Sequence, residues 1–255
     1  MTLLTLDLNS DLGESFGVWQ MGDDAALMDL ITSANLACGL HAGDPLGMAR
    51  TLRLAQRAGV AVGAHPGYAD LQGFGRRELH LSPEEVEALV LYQVGALAGL
   101  ARAEGLALGH VKPHGALYNQ AARDPALAAA IARAVAAFDR TLILVGLAGS
   151  ALLSAGAAAG LRVAAEGFPD RAYNPDGTLR ARGLAGAVLA APAEVAAQAV
   201  QLAVEGIRIG DRRLRVDTLC LHGDHPAAVA NARAVRAALT EHGIKVRALE
   251  KGMAA

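Results

Sequence analysis

The chain has 255 residues, of which 53% are hydrophobic and 19% charged, a composition typical of one globular domain rather than of a disordered chain. Its formal charge is −2 and its 23 Lys and Arg residues form no dense run, so we expect no nucleic-acid partner. A membrane helix needs about 20 uninterrupted apolar residues, and the sequence contains no such stretch. Residues 1–11 also lack a basic leader with a cleavage site. We therefore expect a cytoplasmic protein without a membrane partner.

Short apolar runs alternate with polar clusters and with longer Ala- and Leu-rich stretches of helical spacing, a pattern that indicates repeated βα units. The predicted strands cover residues 3–8, 32–37, 60–64, 107–112, 141–146, 162–166 and 217–221, with an eighth candidate at 244–249. The predicted helices cover residues 23–31, 45–58, 83–104, 125–138, 149–159, 192–205 and 226–242. A capping residue followed by proline marks three helix starts, at Asp44, Ser82 and Asp124.

Residues 207–216 alternate apolar and polar side chains about a Gly-Asp turn, which predicts a β-hairpin inserted into a single domain spanning residues 1–255. Nearly every predicted strand is followed by a polar cluster. In an open sheet one or two loops carry the chemistry, whereas a barrel collects all strand-end loops around one mouth. We therefore expect an α/β fold: a (β/α) barrel of seven or eight mostly parallel strands.

The end of the first strand carries a series of polar residues. Period-two alternation places Asp7, Asn9 and Asp11 on one face of the chain, and Glu14 follows. Capping of the next loop explains one acid but not the series, so we interpret these residues as part of a site.

Other strand exits carry imidazoles, acids and a lysine. Taken singly, each has a structural explanation, such as a hydrogen-bonded core histidine or a surface lysine. Their shared position indicates acid/base chemistry or a metal site. These residues are Asn35 and His41 after the second strand, His65 after the third, Lys112, His114 and Tyr118 after the fourth, Glu166 after the sixth, and His222 and Asp224 after the seventh.

The loop from Gly63 to Ser82 combines four glycines with aromatic, acidic and basic residues, which predicts a substrate lid. Either Arg76 or Arg77, but not both, is expected to recognise an anion through its planar guanidinium. Cys38 and Cys220 form no C-x-x-C pair and are expected to be buried thiols. The sequence contains no G-x-x-x-x-G-K-[ST], G-x-G-x-x-G or H-E-x-x-H motif.

Six ordered motifs, at residues 8–17, 33–44, 65–77, 110–119, 166–173 and 221–224, resemble the LamB/YcsF family, to which the A subunits of bacterial 5-oxoprolinase belong. The resemblance covers almost the whole chain. It implies a distorted barrel related to the glycoside hydrolase/deacetylase superfamily. It also implies ATP-dependent opening of 5-oxo-L-proline (pyroglutamate) to L-glutamate together with subunits B and C, in which the partners phosphorylate the lactam and this chain opens the ring. ATP is then used by the complex and need not contact this chain.

On this hypothesis the lactam lies in the barrel mouth with its carboxylate on Arg76 or Lys112. Asp11 or Glu14 acts as a base toward water, and His41, His65 or His114 protonates the leaving nitrogen. The other strand-end residues are expected to contact the substrate: Asn9, Asn35, Tyr118, Glu166, His222 and Asp224.

Two alternatives remain open at this level. A metal-dependent deacetylase or amide hydrolase would bind a divalent ion through Asp11 with His41, His65 or the His110 and His114 pair, but Pro113 disturbs that pair and no metal is predicted. A non-catalytic docking subunit would tolerate substitutions at the strand ends and show an apolar surface patch, and the dense polar ring counts against it.

Overall fold

The computed structural model describes residues 4–224 and 226–249. Its strands, in chain order, are β1 (Thr5–Leu12), β2 (Ser33–Ala37), β3 (Ala61–His65), β4 (His110–Val111), β5 (Ile143–Leu147), β6 (Arg162–Gly167), β7 (Ile207–Ile209), β8 (Arg212–Leu214), β9 (Thr218–Leu221) and β10 (Lys245–Val246). Strands β1 to β6 and β9 pair in parallel, and β9 pairs back onto β1, which closes a seven-stranded barrel. Strand β10 adds to the start of β1. The predicted barrel is confirmed.

The helices are α1 (Asp24–Met28), α2 (Pro45–Ala58), α3 (Pro83–Ala103), α4 (Gly115–Arg123), α5 (Pro125–Phe138), α6 (Ala151–Ala158), α7 (Pro192–Glu205) and α8 (Ala228–Glu241). The three predicted capped starts are confirmed, because the side chains of Asp44, Ser82 and Asp124 accept hydrogen bonds from first-turn amides of α2, α3 and α5. Strands β7 and β8 pair antiparallel between α7 and β9.

Several predicted boundaries were wrong. Strand β1 continues to Leu12 instead of ending at residue 8, because its polar residues point into the barrel rather than mark the strand end. Strand β4 covers only two residues of the predicted 107–112. Helix α4 was not predicted, and α8 begins at Ala228 rather than at residue 226. His225 and residues 1–3 and 250–255 lie outside the described residues.

Alternation along the strands separates an apolar layer from a polar one. On β1, Leu6, Leu8 and Leu12 belong to the large apolar core shared by the strands and the surrounding helices. Asp7, Asn9 and Asp11 alternate with them and face the barrel interior, where register places Asp11 beside Asn35 of β2. Burial of a leucine side chain stabilises the fold by roughly 1.5–3 kcal/mol. The outer layer therefore holds the barrel together, and the interior is available for polar groups.

Two strands make room for one imidazole inside the barrel. Gly63 of β3 lies beside His110 of β4 in the sheet register. A Cβ atom at Gly63 would overlap the His110 ring. The absence of a side chain at position 63 therefore allows His110 to enter the interior.

Helix α3 is long and apolar enough to cross a bilayer, by length and composition alone. In the barrel its residues Val86, Val90, Val94 and Leu97 are buried in the apolar core. A core helix of a globular protein passes the same test, so this feature is weak evidence for a membrane span.

Candidate active site

A buried lysine pairs with two carboxylates in the centre of the barrel. The Nζ atom of Lys112 lies 2.8 Å from Oδ1 of Asp11 and 3.1 Å from Oε1 of Glu166, and all three side chains are buried. Burial alone would lower the pKa of Lys112, but the carboxylates of Asp11 and Glu166 raise it well above its ordinary value. The lysine is therefore held charged, and its charge is already balanced by protein carboxylates.

Amide side chains connect this ion pair to the barrel wall. Asn35 Nδ2 donates to Asn9 Oδ1 at 2.7 Å and to Asp11 Oδ1 at 2.9 Å. Asn9 Nδ2 donates to Glu166 Oε1 at 3.1 Å. His110 Nε2 lies 2.7 Å from Asn35 Oδ1, and burial lowers the pKa of His110 to about 3, so this imidazole is neutral and donates to the amide. The network fixes the orientation of Asp11.

Tyr118 and Cys220 complete the floor of the site. Tyr118, on α4, donates its hydroxyl to Glu166 Oε2 at 2.8 Å. Cys220 Sγ lies 2.9 Å from Lys112 Nζ. Burial raises the pKa of the Cys220 thiol well above its ordinary value, so the sulfur stays protonated. Both cysteines are buried and free, as predicted.

Three histidine rings pack against one another above this floor. The His41 and His114 rings are parallel with centroids 3.9 Å apart, and His65 meets both edge-on. His65 Nδ1 lies 2.7 Å from the carbonyl oxygen of Lys112, and His114 Nε2 lies 2.8 Å from that of Phe74. Both ring nitrogens of His41 are buried without a hydrogen-bond partner. Burial lowers the pKa of His41 and of His114 well below the ordinary value, so both rings are neutral near pH 7.

A strained turn in the loop after β3 holds the histidines. Phe74 has a φ of 54°, the single positive value for a non-glycine residue among those described. The next residue, Gly75, has a φ of +63°, and a Cβ there would lie 2.8 Å from His41 Cβ and 2.9 Å from His114 Cδ2. This backbone conformation delivers the Phe74 carbonyl to His114 and leaves space for the stacked rings.

Two neighbouring carboxyl groups differ in protonation. Burial would raise the pKa of Asp11, but His65 and Lys112 hold it well below its usual range. Burial and the charges of Asp11 and Asp224 raise the pKa of Glu14 well above its usual range. The two pKa values therefore shift in opposite directions: the site favours the ionised form of Asp11 and the protonated form of Glu14.

The rim of the mouth is formed by charged groups from opposite loops. Arg76 Nη2 pairs with Asp224 Oδ2 at 2.5 Å. His222 Nδ1 lies 2.7 Å from Asp170 Oδ2, and its ring stacks on Phe168. Arg77 instead pairs with Asp70, and its side chain is 63% exposed, so Arg76 is the arginine at the mouth.

Asp7 lies deeper in the barrel, where it accepts hydrogen bonds from Ser33 and Thr218. The other candidate residues from the sequence converge at one end of the barrel, but four contributors were not predicted. Cys220 was interpreted only as a buried thiol, although it alternates with Thr218 and His222. Asp170, in the loop after β6, lies 2.7 Å from His222 Nδ1 through its Oδ2 atom. Phe74 contributes its carbonyl, and the Phe168 ring lies 5.6 Å from Lys112 Nζ. No local sequence signal identifies the two phenylalanines.

Two groups of side chains have metal-ligand spacing among the described residues. Asp11, Glu14, His65 and His114 offer ligand atoms that all lie within 4.8 Å of one another. The second group is Asp11, Cys220 and His222, in which Cys220 Sγ already lies 2.9 Å from the charged Lys112 Nζ. His110, considered for a metal site in the sequence, belongs to neither group.

Residues 6–254 match the LamB/YcsF family. The chain is 60% identical over 249 residues to a Methylococcus capsulatus protein named as a 5-oxoprolinase A subunit, with 96% of each chain covered. It is 58% identical over 247 residues to a protein of the same name from Symbiobacterium thermophilum, with 95% of each covered.

The solved structures that are similar to this one include a close relative and a more distant barrel. The lactam utilization protein from Thermus thermophilus is 51% identical, with a TM-score of 0.89, and the match covers 96% of this chain and 100% of that chain. The catalytic domain of a peptidoglycan N-acetylglucosamine deacetylase from Eubacterium rectale is 10% identical, with a TM-score of 0.52, over 97% of this chain and 89% of that chain. The second likeness shows the fold alone and agrees with the expected deacetylase-like barrel.

Proposed function

The chain belongs to the LamB/YcsF family, and from this membership and the site geometry we propose that it is the A subunit of a 5-oxoprolinase, a hydrolase that opens the cyclic amide of 5-oxo-L-proline to L-glutamate. Relatives of that name share more than half of its residues over nearly the full length. The observation that carries the proposal is the convergence of two buried carboxyl groups, Asp11 and Glu14, with Lys112 and the histidines in one pocket, since ring opening requires a group that gives a proton to the departing nitrogen.

A subunit of such an enzyme works with partner subunits. We propose that the partners of this chain are subunits B and C of the same complex. In this scheme the partners use ATP to phosphorylate the lactam, and this chain opens the activated ring. Because the reaction consumes ATP, we also assign the complex to the cytoplasm.

Arg76 is the group best suited to the substrate carboxylate. Its guanidinium lies at the mouth with 36% of the side chain exposed. Lys112, the other candidate from the sequence, is buried and paired with Asp11 and Glu166, so binding a third carboxylate there would require breaking an existing ion pair. A planar guanidinium also matches a carboxylate in two parallel hydrogen bonds.

Glu14 is the better proton donor for the leaving nitrogen. The sequence suggested a histidine, but His41 and His114 have pKa values lowered by burial and are neutral at pH 7. Burial and the charge of Asp11 raise the pKa of Glu14 and so favour its protonated form. In the proposed step the oxygen of one water bonds to the phosphorylated ring carbon and the C–N bond breaks. The nitrogen takes one proton from Glu14 and one from the water, and the other water proton restores Glu14. A second water then releases inorganic phosphate from the resulting acyl phosphate, which gives L-glutamate.

Asp11 then acts chiefly as an anchor for water. Its Oδ1 accepts from Lys112 and Asn35, and its low pKa makes it a weak base. Its Oδ2 lies 3.4 Å from His65 Nε2 and can accept a hydrogen bond from the attacking water.

The test is glutamate formation from 5-oxo-L-proline and ATP by the full chain assembled with its partner subunits. We expect Glu14→Gln to reduce kcat by about 10²–10⁴-fold, the usual contribution of a general acid. Full activity of this variant would eliminate the role of Glu14. Failure of the assembled wild-type complex to form glutamate would refute the proposed function.

A further inference from the structure

The loop between β6 and α7 folds on itself beside the mouth of the barrel. The amide of Ala172 donates to the carbonyl oxygen of Ala187 at 3.0 Å, and the amide of Leu189 donates to that of Asp170 at 2.9 Å. The Asp170 side chain lies 2.7 Å from His222 Nδ1, in the loop after β9. Hydrogen bonds therefore fix this loop to the rim of the site.

The loop contributes two arginines with different surroundings. Arg171 is buried, and its guanidinium donates to the carbonyl oxygens of Arg180 at 2.6 Å and Ala187 at 3.3 Å. A turn at residues 181–184 places Arg182 beside this contact. Arg182 is half-buried and makes no hydrogen bond or ion pair with any residue that the structure describes. Its N–H donors are therefore available to a ligand.

The charge of Arg182 acts on the other charged groups of the rim. Burial would raise the pKa of Asp224, but nearby positive charges, including those of Arg76 and Arg182, hold it below its usual range. Burial and the charges of Arg182 and Arg76 lower the pKa of Arg171 to about 10. The three guanidinium groups therefore lie close enough to repel one another. A bound anion would relieve this repulsion, so this part of the rim favours an anionic ligand.

The next step rests on the proposed function, in which the molecule that reaches this chain is the phosphorylated lactam. That molecule carries two anionic groups, a carboxylate and a phosphoryl group, and the carboxylate is assigned to Arg76. The floor of the pocket does not suit the second anion, because Lys112 is already balanced by Asp11 and Glu166. Among the described residues of the rim, Arg182 is the guanidinium without a partner.

We propose that Arg182 binds the phosphoryl group of the phosphorylated lactam and holds it at the rim while the ring opens. A planar guanidinium matches phosphate oxygens through two parallel hydrogen bonds. Because Arg76 and Arg182 act on the same carboxylate, Asp224, they are close enough to hold the two anionic ends of one small molecule. Arg182 thus selects the activated lactam over 5-oxoproline itself, which lacks the phosphoryl group.

Inorganic phosphate, the anion that the reaction would release, is the probe for this site on the full chain alone. A phosphorus NMR titration at constant ionic strength, in which phosphate replaces chloride, measures its Kd. We expect Arg182→Gln to weaken phosphate binding by about tenfold or more, because charged hydrogen bonds are lost. Arg180→Gln should leave the Kd unchanged, because Arg180 belongs to the same loop and is exposed. Arg182→Lys, which keeps the charge but loses the planar fork, should have an intermediate Kd.

The assembled complex provides a second readout. A phosphorylated lactam that this chain does not hold leaves the site and is hydrolysed back to 5-oxoproline, so ATP is consumed without glutamate being formed. Arg182→Gln should therefore raise the ratio of ADP to glutamate several-fold, and Arg180→Gln should not. A loss of folded chain would lower the amount of glutamate without this dependence on one arginine of the loop.

Three results would overturn the inference. The first is a wild-type chain that binds no phosphate. The second is equal phosphate affinity and an equal ratio of ADP to glutamate for the wild type and folded Arg182→Gln. The third is binding of ATP to the chain alone that is tighter than binding of phosphate and is lost in Arg182→Gln, since the site would then belong to a nucleotide.

The two proposals fail separately. A complex that forms glutamate equally well with Arg182→Gln, in a chain whose phosphate binding is also unchanged, loses the phosphoryl site and keeps the function. A chain that binds phosphate through Arg182 but forms no glutamate in the assembled complex keeps the site and loses the proposed function.

Discussion

Arg76 Nη2 and Asp224 Oδ2, 2.5 Å apart, join the loop after β3 to the loop after β9 at the mouth of the barrel. The side chains of this pair are 36% and 14% exposed, whereas Asp11 and Glu14 near it are almost completely buried. The ion pair therefore covers the site, and a substrate carboxylate that binds Arg76 has to replace Asp224.

Replacement of Arg76 by alanine tests this exchange. Hydrogen bonds to charged groups contribute about 1.5–3 kcal/mol, so Arg76→Ala should raise the KM for 5-oxoproline by roughly 10–100-fold in the assembled enzyme. Arg77→Ala is the matched control, because Arg77 pairs with Asp70 and is 63% exposed. An equal KM for both variants would contradict a substrate role for Arg76.

Replacement of Lys112 should destabilise the fold. Removing one partner of a buried ion pair destabilises a protein by about 3–5 kcal/mol, because the remaining charge is left uncompensated. Lys112→Met leaves the charges of Asp11 and Glu166 uncompensated. Urea denaturation should therefore show a free energy of unfolding that is lower by about 3–5 kcal/mol.

The matched control for Lys112 is a surface pair. Arg133 and Glu87 have side chains that are 51% and 35% exposed, so Arg133→Met should cost only about 0–1 kcal/mol. In the double variant Lys112→Met/Glu166→Gln the second change should restore part of the lost stability. Strict additivity of the two changes would show that the Lys112–Glu166 contact carries no coupling.

The pH dependence of the free energy of unfolding should reveal the raised pKa of Asp7, which lies deeper in the barrel. Burial raises the pKa of Asp7 although Thr218, Ser33 and Thr32 donate hydrogen bonds to it. Because the folded-state pKa lies above the unfolded value, the contribution of Asp7 is fully present below the unfolded pKa and is lost as pH rises through the folded pKa. Urea denaturation over a pH series should therefore show the wild type losing stability relative to Asp7→Asn as pH increases.

Asp44 provides a comparison of opposite sign. Hydrogen bonds from the amides of Gly47 and Gly17 lower its pKa at the start of α2. Its contribution is present above the unfolded pKa and is lost as pH falls through the folded pKa, so the advantage of the wild type over Asp44→Ala, about 1 kcal/mol near neutral pH, should shrink in acid. The same pH trend for both variants would contradict the two assigned environments.

The sequence predicted those features that depend on local periodicity. Alternation along β1 placed Asp7, Asn9 and Asp11 on one face, and proline-preceding caps located three helix starts. It could not decide whether Lys112 is neutral or charged, because that depends on Asp11 and Glu166, which reach it only when the barrel closes. The contact between Cys220 and Lys112 likewise joins residues 108 positions apart and follows from the closed barrel rather than from any local pattern.

A single methyl group at Gly75 should separate catalysis from folding. Gly75 has a φ of +63°, and a Cβ there would press on His41 and His114 at 2.8 and 2.9 Å. Gly59 has a similar φ of +67° with no atom within 4 Å of its Cβ position. Both alanine variants meet the backbone cost of a positive φ, roughly 1 kcal/mol. Only Gly75→Ala displaces the imidazoles, so it alone should reduce kcat for glutamate formation, and equal kcat values for the two variants would show that the stacked histidines do not need their present positions.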